Sequence, residues 1–349
     1  MNLIAMNNPK LPERLQTATI NDVARHAGVS YQTVSRVINQ HPSVSAETRE
    51  RVLQAVQLLD YHPSAAARML AAKRSSLIGV VTSGLAHYGP GKMLASLDTA
   101  ARNLGYKISM LQIVEFSSAE ISSAIQQLRQ QQVEGIIVFI PTQEVGANQI
   151  EQLCGGLPVV ITDAEPGIGR YVTNMDHISG TRAAAQHLLT LGHRRIGFIN
   201  GPLDWYSGMM RRQGWLSALN QAKLSPIAEF EGDWSARSGY QATTQLLEQK
   251  LDITGLLVGN DQMALGALHA LHQHNLELPR DMSVVGFDDI PDAEFFEPAL
   301  TTVRQDFSHL AQLALEQLLA RVDQKDKINE LKMISPHLLV RGSTAPPRS

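Results

Sequence analysis

The sequence has very little cysteine and no long apolar run. Its one cysteine, Cys154, has no second cysteine with which to form an intramolecular disulfide, so an oxidising compartment is not required. No apolar stretch is long enough to cross a bilayer, and the short apolar segment 3–6 lacks the length and cationic flank of a signal peptide. We therefore expect a cytoplasmic, nucleoid-associated protein that makes no membrane contact and begins with a flexible leader over residues 1–18.

Charged residues are also few, at 18% of 349, and they are unevenly distributed. Up to Arg74, nine Lys or Arg residues stand against five Asp or Glu residues, a net charge of +4, whereas the remainder has 21 basic and 28 acidic residues, a net charge of −7. A polyanion such as nucleic acid would therefore meet the N-terminal part. Because a handful of charges decides the sign, the asymmetry alone fits a protein without nucleic acid equally well.

The basic part predicts a helix, a turn and a second helix. Thr19 and Ser30 are N-cap residues that precede the two helices, and Gly28 supplies the permissive backbone of the turn between them. A third helix begins after the N-cap Ser45 and is ended by Pro63. These elements predict a small three-helix domain.

The second helix has an apolar face and a polar face. Val34, Val37 and Ile38 fall on one side, which leaves Tyr31, Gln32, Ser35 and Arg36 on the other. Glutamine can pair with adenine and arginine with guanine in the major groove, while Thr33, Ser35 and Asn39 suit phosphates. Taken separately, these residues also fit an ordinary three-helix bundle with a polar surface.

From Leu77 onward, apolar strand-like segments alternate with helical ones. The segments LIGVVTS, YKISML and GIIVFI are separated by helices predicted at about 91–104 and 122–132, and VVIT, RIGFIN, LLVG and SVVGF continue the series. This alternation predicts parallel sheets covered by helices, and there are too many strands for one open sheet of ordinary size.

Polar residues follow several of these strands. Ligands of such sheets bind beyond the carboxyl ends of the strands, so these residues are candidates for binding a small ligand, with Trp234 as a flat apolar surface beside them. They are Ser83, Asp163, Asn260 and Asp288, joined by Arg211 on a following helix. We interpret Asp261 and Asp289 as surface residues or helix caps.

Two catalytic interpretations are less favoured. His269, His272 and His274 lack the carboxylate or cysteine spacing of a metal site, so no metal and no cofactor is expected. Asp288 and Asp289 are adjacent on a strand and point in opposite directions, so they cannot flank one glycosidic bond as a hydrolase requires. We therefore do not expect an enzyme.

The motifs AGVSYQTVSRV, EGDWSA, NDQMALGA, SVVGFDD and QDF together resemble the LacI family of bacterial transcription repressors, from about Thr19 to about Thr344. The likeness is greatest to galactoside-responsive members. It implies an all-α helix-turn-helix DNA-binding domain plus an α/β two-lobed effector domain like that of periplasmic binding proteins. The implied boundaries are residues 19–63 for the DNA-binding domain, 64–75 for a hinge helix and 76–349 for the sugar-binding and dimerisation domain, with lobe one at about 76–175 and 307–334 and lobe two at about 176–303 and 335–343.

The resemblance also implies how DNA is read. Tyr31, Gln32 and Arg36 are expected in the major groove, and the hinge helix is expected to wedge Leu70 into the minor groove of a bent, pseudo-palindromic operator bound by a homodimer. The chain shows no C-terminal leucine heptads, so a tetramer is not expected. The DNA-binding set is Thr19, Ser30, Tyr31, Gln32, Thr33, Ser35, Arg36, Asn39, Arg68 and Leu70.

The ligand set follows in the same way. It comprises Ser83, Pro90, Met93, Phe139, Asp163, Met175, Trp205, Ser207, Arg211, Trp234, Asn260, Asp288, Gln305 and Phe307. At Phe139, Thr162, Met175 and Trp205 the galactoside-responsive relative has Asn, Leu, Phe and Ser, which points to a pocket reshaped around an aglycone or second sugar. We expect a galactoside-like inducer that weakens operator binding; a different sugar, or a corepressor, is the alternative.

Overall fold

A computed structural model describes residues 18–39, 41–62, 74–114, 117–139, 145–165, 171–325 and 331–348. The chain divides into two compact units, Met1–Ser75 and Ser76–Ser349, which are described separately. The predicted leader, apart from its last residue, and the predicted hinge residues Arg68 and Leu70 lie outside the described residues. Among the helices of the described ranges, none has the length and apolar character needed to span a membrane.

The first unit is built from three helices, α1 (Ile20–Ala27), α2 (Tyr31–Ile38) and α3 (Ala46–Leu58). Each begins at the N-cap that the sequence predicts, because the hydroxyls of Thr19, Ser30 and Ser45 accept a hydrogen bond from a backbone N–H in the first turn. The α1–α2 turn passes through Gly28, whose φ of 64° lies in the left-handed region. Helix α3 ends at Leu58, several residues before the proline expected to end it.

The small core of this unit lies between the helices. Val23 from α1, Val34 and Val37 from α2 and Val52 from α3 are buried together, with Tyr61 closing the end of the cluster. The apolar face of α2 therefore packs in the core, as its helical periodicity predicts. The opposite face of α2 takes no part in this core.

The second unit alternates strands and helices. Its strands are β1 (Leu77–Thr82), β2 (Lys107–Gln112), β3 (Gly135–Phe139), β4 (Val159–Thr162), β5 (Val172–Met175), β6 (Ile196–Asn200), β7 (Ala228–Glu231), β8 (Gly255–Val258), β9 (Ser283–Asp288), β10 (Thr301–Arg304), β11 (Lys332–Ile334) and β12 (His337–Leu339). Its helices are α4 (Tyr88–Asn103), α5 (Ser118–Gln130), α6 (Ala147–Cys154), α7 (His177–Thr190), α8 (Tyr206–Gln221), α9 (Ala236–Glu248), α10 (Asp261–Gln273) and α11 (Phe307–Val322), with a 3-10 turn at Pro291–Phe295.

These strands form two six-stranded sheets, ordered β11-β5-β4-β3-β1-β2 and β12-β10-β9-β8-β6-β7. All pairs are parallel except β10 with β12 at one edge. We call the first sheet with α4, α5, α6 and α11 lobe one, and the second sheet with α7 to α10 lobe two. In each lobe the chain adds strands first on one side of the first strand, β1 or β6, and then on its other side. At such a change of side, the carboxyl ends of the strands border a crevice in which ligands bind.

Two predicted helix starts are wrong. Helix α4 begins at Tyr88 rather than near Gly91, because Pro90 fits within a first helical turn, where its missing N–H costs nothing. Helix α5 begins at Ser118 rather than at 122, because the hydroxyl of Ser117 accepts from the N–H of Glu120 and caps the helix earlier.

Candidate functional site

The outward face of α2 carries the residues predicted to read bases. Tyr31 has 54% of its surface exposed, and Gln32 and Arg36 are also exposed. Gln32 and Arg36 are one helical turn apart, so their side chains lie on the same side of the helix. Within the described residues their side chains have no hydrogen-bond partner, which leaves the amide and guanidinium groups available to an external surface.

The hydroxyl-bearing residues of the same set have structural partners. The Thr19 hydroxyl donates to Oδ2 of Asp22 over 2.6 Å, and the Ser30 and Thr33 hydroxyls are 3.0 Å apart. The side-chain amide of Asn39 donates to the Ser35 hydroxyl over 3.4 Å. Their expected role on phosphates stays a prediction, and what the structure establishes for Thr19 and Ser30 is capping.

In the second unit a cavity lies between the two lobes. Its walls are formed by residues at the carboxyl ends of strands and in the first turns of α4, α8 and α11. The lining is His87, Tyr88, Gly89, Pro90, Phe139, Asp163, Met175, His177, Trp205, Ser207, Arg211, Trp234, Asn260, Asp288, Gln305, Phe307 and Leu310.

Most of the predicted ligand residues line this cavity, but two do not. Met93 is completely buried in the core of lobe one, and Ser83, just after β1, is buried with no hydrogen-bond partner for its hydroxyl within the described residues. The lining residues that sequence reasoning missed are His87, Tyr88, Gly89, His177 and Leu310. His177 lies two residues after the end of β5, so a search for polar residues just beyond every strand would have found it.

Several lining residues have backbones that L-amino acids rarely adopt. Asp163, Trp234 and Asp288 have φ values of 56°, 71° and 121°. Such conformations cost about 1–3 kcal/mol each and tend to persist where the surrounding structure enforces them, often at binding sites.

Arg211, in α8, is the centre of the polar wall in lobe two. Its side chain is only 6% exposed and lies over the Phe287 ring, 3.9 Å from the ring centroid. It donates to the Gly259 carbonyl, to Nδ1 of His177 over 3.4 Å and to Oδ1 of Asp288 over 3.4 Å. All three nitrogens of the guanidinium therefore already have partners.

His177 joins the two lobes. Because Nδ1 accepts from Arg211, Nε2 carries the proton and donates to Oδ1 of Asp163 in lobe one over 3.1 Å. Burial lowers the pKa of His177, so the ring is neutral at pH 7. The Asp163–His177–Arg211–Asp288 series thus spans the cleft with one hydrogen-bonded path.

The two adjacent aspartates have separate surroundings, as expected from their position at the end of β9. Asp288 is buried at the cavity and also accepts from the side-chain amide of Gln305 over 2.6 Å, and its pKa is raised to about 6 chiefly by burial. Asp289 instead pairs with Arg304 and Arg341, each at 2.6 Å. The doublet therefore does not present two carboxylates to one bond.

The prediction for Asp261 is wrong, because it is neither a surface residue nor a helix cap: its side chain is completely buried, Asn260 caps α10, and Asp261 binds two neighbouring segments. Its carboxyl accepts from the Thr302 hydroxyl over 2.5 Å and from the Ile290 N–H over 2.9 Å. Its pKa is raised to about 8, chiefly by burial and then by the nearby charge of Asp288. The group is therefore mostly protonated when the folded protein is at neutral pH.

An Asp261→Asn protein is expected to become more stable relative to the wild-type protein as pH rises from about 5 to about 8. In this range the Asp261 carboxyl is already ionised in the unfolded wild-type chain and still holds its proton in the folded chain, so rising pH favours unfolding. Asparagine cannot ionise, which removes this effect. Urea denaturation at several pH values measures it. Asp281→Asn is the control, because hydrogen bonding from the Glu277 N–H lowers the pKa of Asp281, and its difference from wild type should not change over this range. A pH-independent difference for Asp261→Asn would contradict the prediction.

The cavity offers hydrogen-bond acceptors more readily than cations. Oδ2 of Asp163 and Oδ2 of Asp288 have no partner among the described residues, and the buried Trp234 Nε1 has none either. Three of the five N–H donors of the Arg211 guanidinium already have partners, its charge is paired with Asp288, and burial lowers the pKa of His87. The free polar groups thus favour a ligand rich in hydroxyl donors and disfavour an anion.

The histidines near the end of α10 do not converge. His269 lies 3.0 Å from the Gln273 amide nitrogen, and Nδ1 of His274 donates to the Ala270 carbonyl over 2.8 Å. No group of three potential metal ligands occurs within the described ranges.

Comparison with known proteins identifies the family to which the chain belongs. Residues 19–64 match the family described as bacterial regulatory proteins, lacI family, and residues 185–344 match a periplasmic binding protein-like domain. The lactose operon repressor of Escherichia coli (strain K12) is 40% identical over 96% of this chain and 93% of its own length. The chain belongs to the LacI family.

Other LacI-family proteins are similar over the same extent. The HTH-type transcriptional repressor PurR of Proteus mirabilis (strain HI4320) is 35% identical over 94% of this chain and 97% of its own length. The crystal structure of the lac repressor dimer bound to operator and the anti-inducer ONPF superimposes with a TM-score of 0.89 at 38% identity, covering 95% of this chain and all of that one. The predicted family and two-part fold are confirmed.

Proposed function

We propose that this chain is a non-enzymatic transcriptional repressor that binds a pseudo-palindromic operator as a dimer and releases it when a galactoside-like sugar fills the cavity. The observation that supports this most is the combination, in one chain, of an exposed polar face on α2 and a cavity with unpartnered acceptors between two lobes. Gln32 and Arg36 would read base edges, and Tyr31 would lie beside them. The hinge residues Arg68 and Leu70 would contribute in the minor groove.

An uncharged sugar suits the cavity for electrostatic reasons. The free carboxylate oxygens of Asp163 and Asp288 can each accept from ligand hydroxyls, while Trp234 can donate through Nε1 and pack its ring against a C–H face. A phosphorylated sugar would meet these carboxylates, and the charge of Arg211, the arginine in the cavity lining, is already paired with Asp288. The same argument supports binding without catalysis, because Asp289 is paired away from the cavity.

Release would follow from the position of the cavity between the lobes. A ligand weakens DNA binding only if it binds more tightly to a lobe arrangement that disfavours the operator-bound state. The hydrogen-bonded path from Asp163 through His177 and Arg211 to Asp288 spans the cleft. The affinity for a ligand that contacts both carboxylates would therefore depend on how the two lobes are arranged.

An operator titration tests this proposal. Duplexes selected from a random pool should show a pseudo-palindromic consensus, and an effective galactoside should weaken binding to it by about 5- to 150-fold at fixed salt. Tighter binding in the presence of the ligand would instead support a corepressor mechanism. Turnover of a chromogenic galactoside would contradict the non-enzymatic assignment.

A further inference from the structure

Three aromatic rings form a continuous row across the cleft, which we call the aromatic bar: His87 of lobe one, and Trp205 and Trp234 of lobe two. The His87 and Trp205 rings meet edge to face with centroids 5.4 Å apart, and Trp205 meets Trp234 in the same manner at 5.9 Å. The row therefore connects the first turn of α4 to the loop before α9.

Trp205 is closely fitted against lobe one. A Cβ atom placed on Gly84 would lie 3.0 Å from the edge of the Trp205 indole, and Gly84 also has a φ of 61°. Glycine is thus suited to this position both by its backbone conformation and by the closeness of the indole. Little unfilled space remains between Trp205 and the β1–α4 loop.

The bar also separates the polar groups from solvent. His87 and Trp205 are partly exposed, whereas Trp234, Arg211 and Asp288 are each 5% exposed. All five residues line the cavity. His87 and Trp205 are therefore at the mouth, and the hydroxyl-binding groups lie deeper.

We propose that Trp205, held by His87 and Gly84, is a specificity-determining residue that limits the effector to a single sugar ring. The inference rests on the proposed function, in that it assumes the cavity binds a sugar. One ring can reach Asp163 and Asp288 inside the mouth, and the indole fills the space that a second ring would need.

Much of the lobe-one wall offers a second ring no hydrogen bonds. Beside His87, Tyr88 and Asp163, this wall consists of apolar residues whose side chains neither donate nor accept: Pro90, Phe139, Met175, Phe307 and Leu310. Hydroxyls of a second sugar buried there would lose water without gaining partners, and each such group costs about 1–3 kcal/mol. Steric closure and unpaired hydroxyls therefore act in the same direction.

Calorimetric binding to matched sugar pairs tests the limit, using galactose with lactose and glucose with cellobiose. The wild-type protein is expected to bind one of the monosaccharides, and its disaccharide at least tenfold more weakly. Trp205→Ser should raise the affinity for that disaccharide, relative to the affinity for the monosaccharide, at least tenfold. Trp205→Phe, which keeps a ring at the mouth, should retain most of the wild-type preference.

His87→Ala is a second variant, which controls for misfolding of Trp205→Ser. It removes the ring that contacts the Trp205 indole and keeps the indole itself. It should shift the preference in the same direction by a smaller factor, and unliganded melting temperatures establish that each variant is folded. A wild-type protein that binds a disaccharide as tightly as its monosaccharide would overturn the limit and indicate that Trp205 stacks on a second ring. An unchanged ratio in Trp205→Ser would overturn it as well. If no sugar binds, the size limit and the proposed effector class are both wrong, whereas operator binding remains a separate result.

Discussion

An Arg211→Met protein is expected to be less stable than the wild-type protein by about 3–5 kcal/mol at pH 8, because breaking a buried ion pair leaves an uncompensated charge. Methionine keeps much of the length and apolar contact of arginine over Phe287 but removes the cation. Asp288 then retains the Gln305 amide at 2.6 Å as its remaining side-chain donor. The Gly259 carbonyl and Nδ1 of His177 lose their donor at the same time.

Arg212→Met is the matched control, because the two arginines are adjacent in α8 and differ in burial. Arg212 has 40% of its side chain exposed and pairs with Glu229 at 2.5 Å, whereas the Arg211 side chain is 6% exposed. Solvent-exposed pairs contribute about 0–1 kcal/mol, so the control should change the free energy of unfolding by no more than that. Urea denaturation of both variants at pH 8 gives the comparison.

The deficit of Arg211→Met should shrink at lower pH. Burial already raises the pKa of Asp288 to about 6 while Arg211 lowers it, so removing Arg211 raises this pKa further. Near pH 5 the carboxyl is then protonated in the folded variant and the unpaired charge is gone. A deficit that is equal at pH 5 and pH 8, or no larger than that of Arg212→Met, would contradict the network described here.

Adding Asp288→Asn to Arg211→Met separates folding from effector binding. The double variant lacks the unpaired carboxylate, so it should regain part of the stability lost by Arg211→Met. It should bind the effector more weakly than the wild-type protein, because the charged acceptor proposed for the ligand hydroxyls is replaced by a neutral amide, and hydrogen bonds to charged groups contribute about 1.5–3 kcal/mol each. Calorimetry with the sugar that binds best to the wild-type protein measures this second effect.

The sequence predicted features that depend on a few neighbouring residues. The caps at Thr19, Ser30 and Ser45 depend on one hydroxyl and one N–H three residues away, and all three are present. The parallel sheets were also predicted from local sequence, because a strand buried on both faces is a short run of apolar residues and these runs alternate with helical segments. The starts of α4 and α5 were misplaced because the cap at Ser117 and the proline in the first turn of α4 were not recognised.

The cavity itself was only partly predictable. The strand-end rule located Asp163 and Asp288, but which side chains of an element face the cavity depends on packing, as Met93 shows by entering the core. The pairing of Arg211 with a carbonyl 48 positions away and a histidine 34 positions away is a property of the folded chain. The closure of the mouth by Trp205 against Gly84 could likewise not be inferred from either residue alone.

An Arg36→Ala protein is expected to lose discrimination at one base position of each operator half-site, by about 1–3 kcal/mol or roughly 5- to 150-fold. Arg36 is exposed on α2 without a partner among the described residues, so its removal should leave the first unit folded. Binding to random-sequence DNA should change much less, because that binding depends on the number of phosphate contacts. Competition titrations with single-base operator variants at fixed salt measure the two effects separately.

Gln32→Ala should relax a different position, because Gln32 and Arg36 are one helical turn apart and so face neighbouring base pairs. Arg51→Ala is the control: Arg51 is exposed on α3, away from the proposed reading face, so its loss should alter the salt dependence at most and preserve the preferred bases. Equal losses on operator and random DNA for Arg36→Ala would mean that Arg36 contacts phosphates rather than bases. A relaxed position shared by both α2 variants would mean that the two side chains contact one base pair. This result would contradict the assignment of Gln32 and Arg36 to neighbouring base pairs.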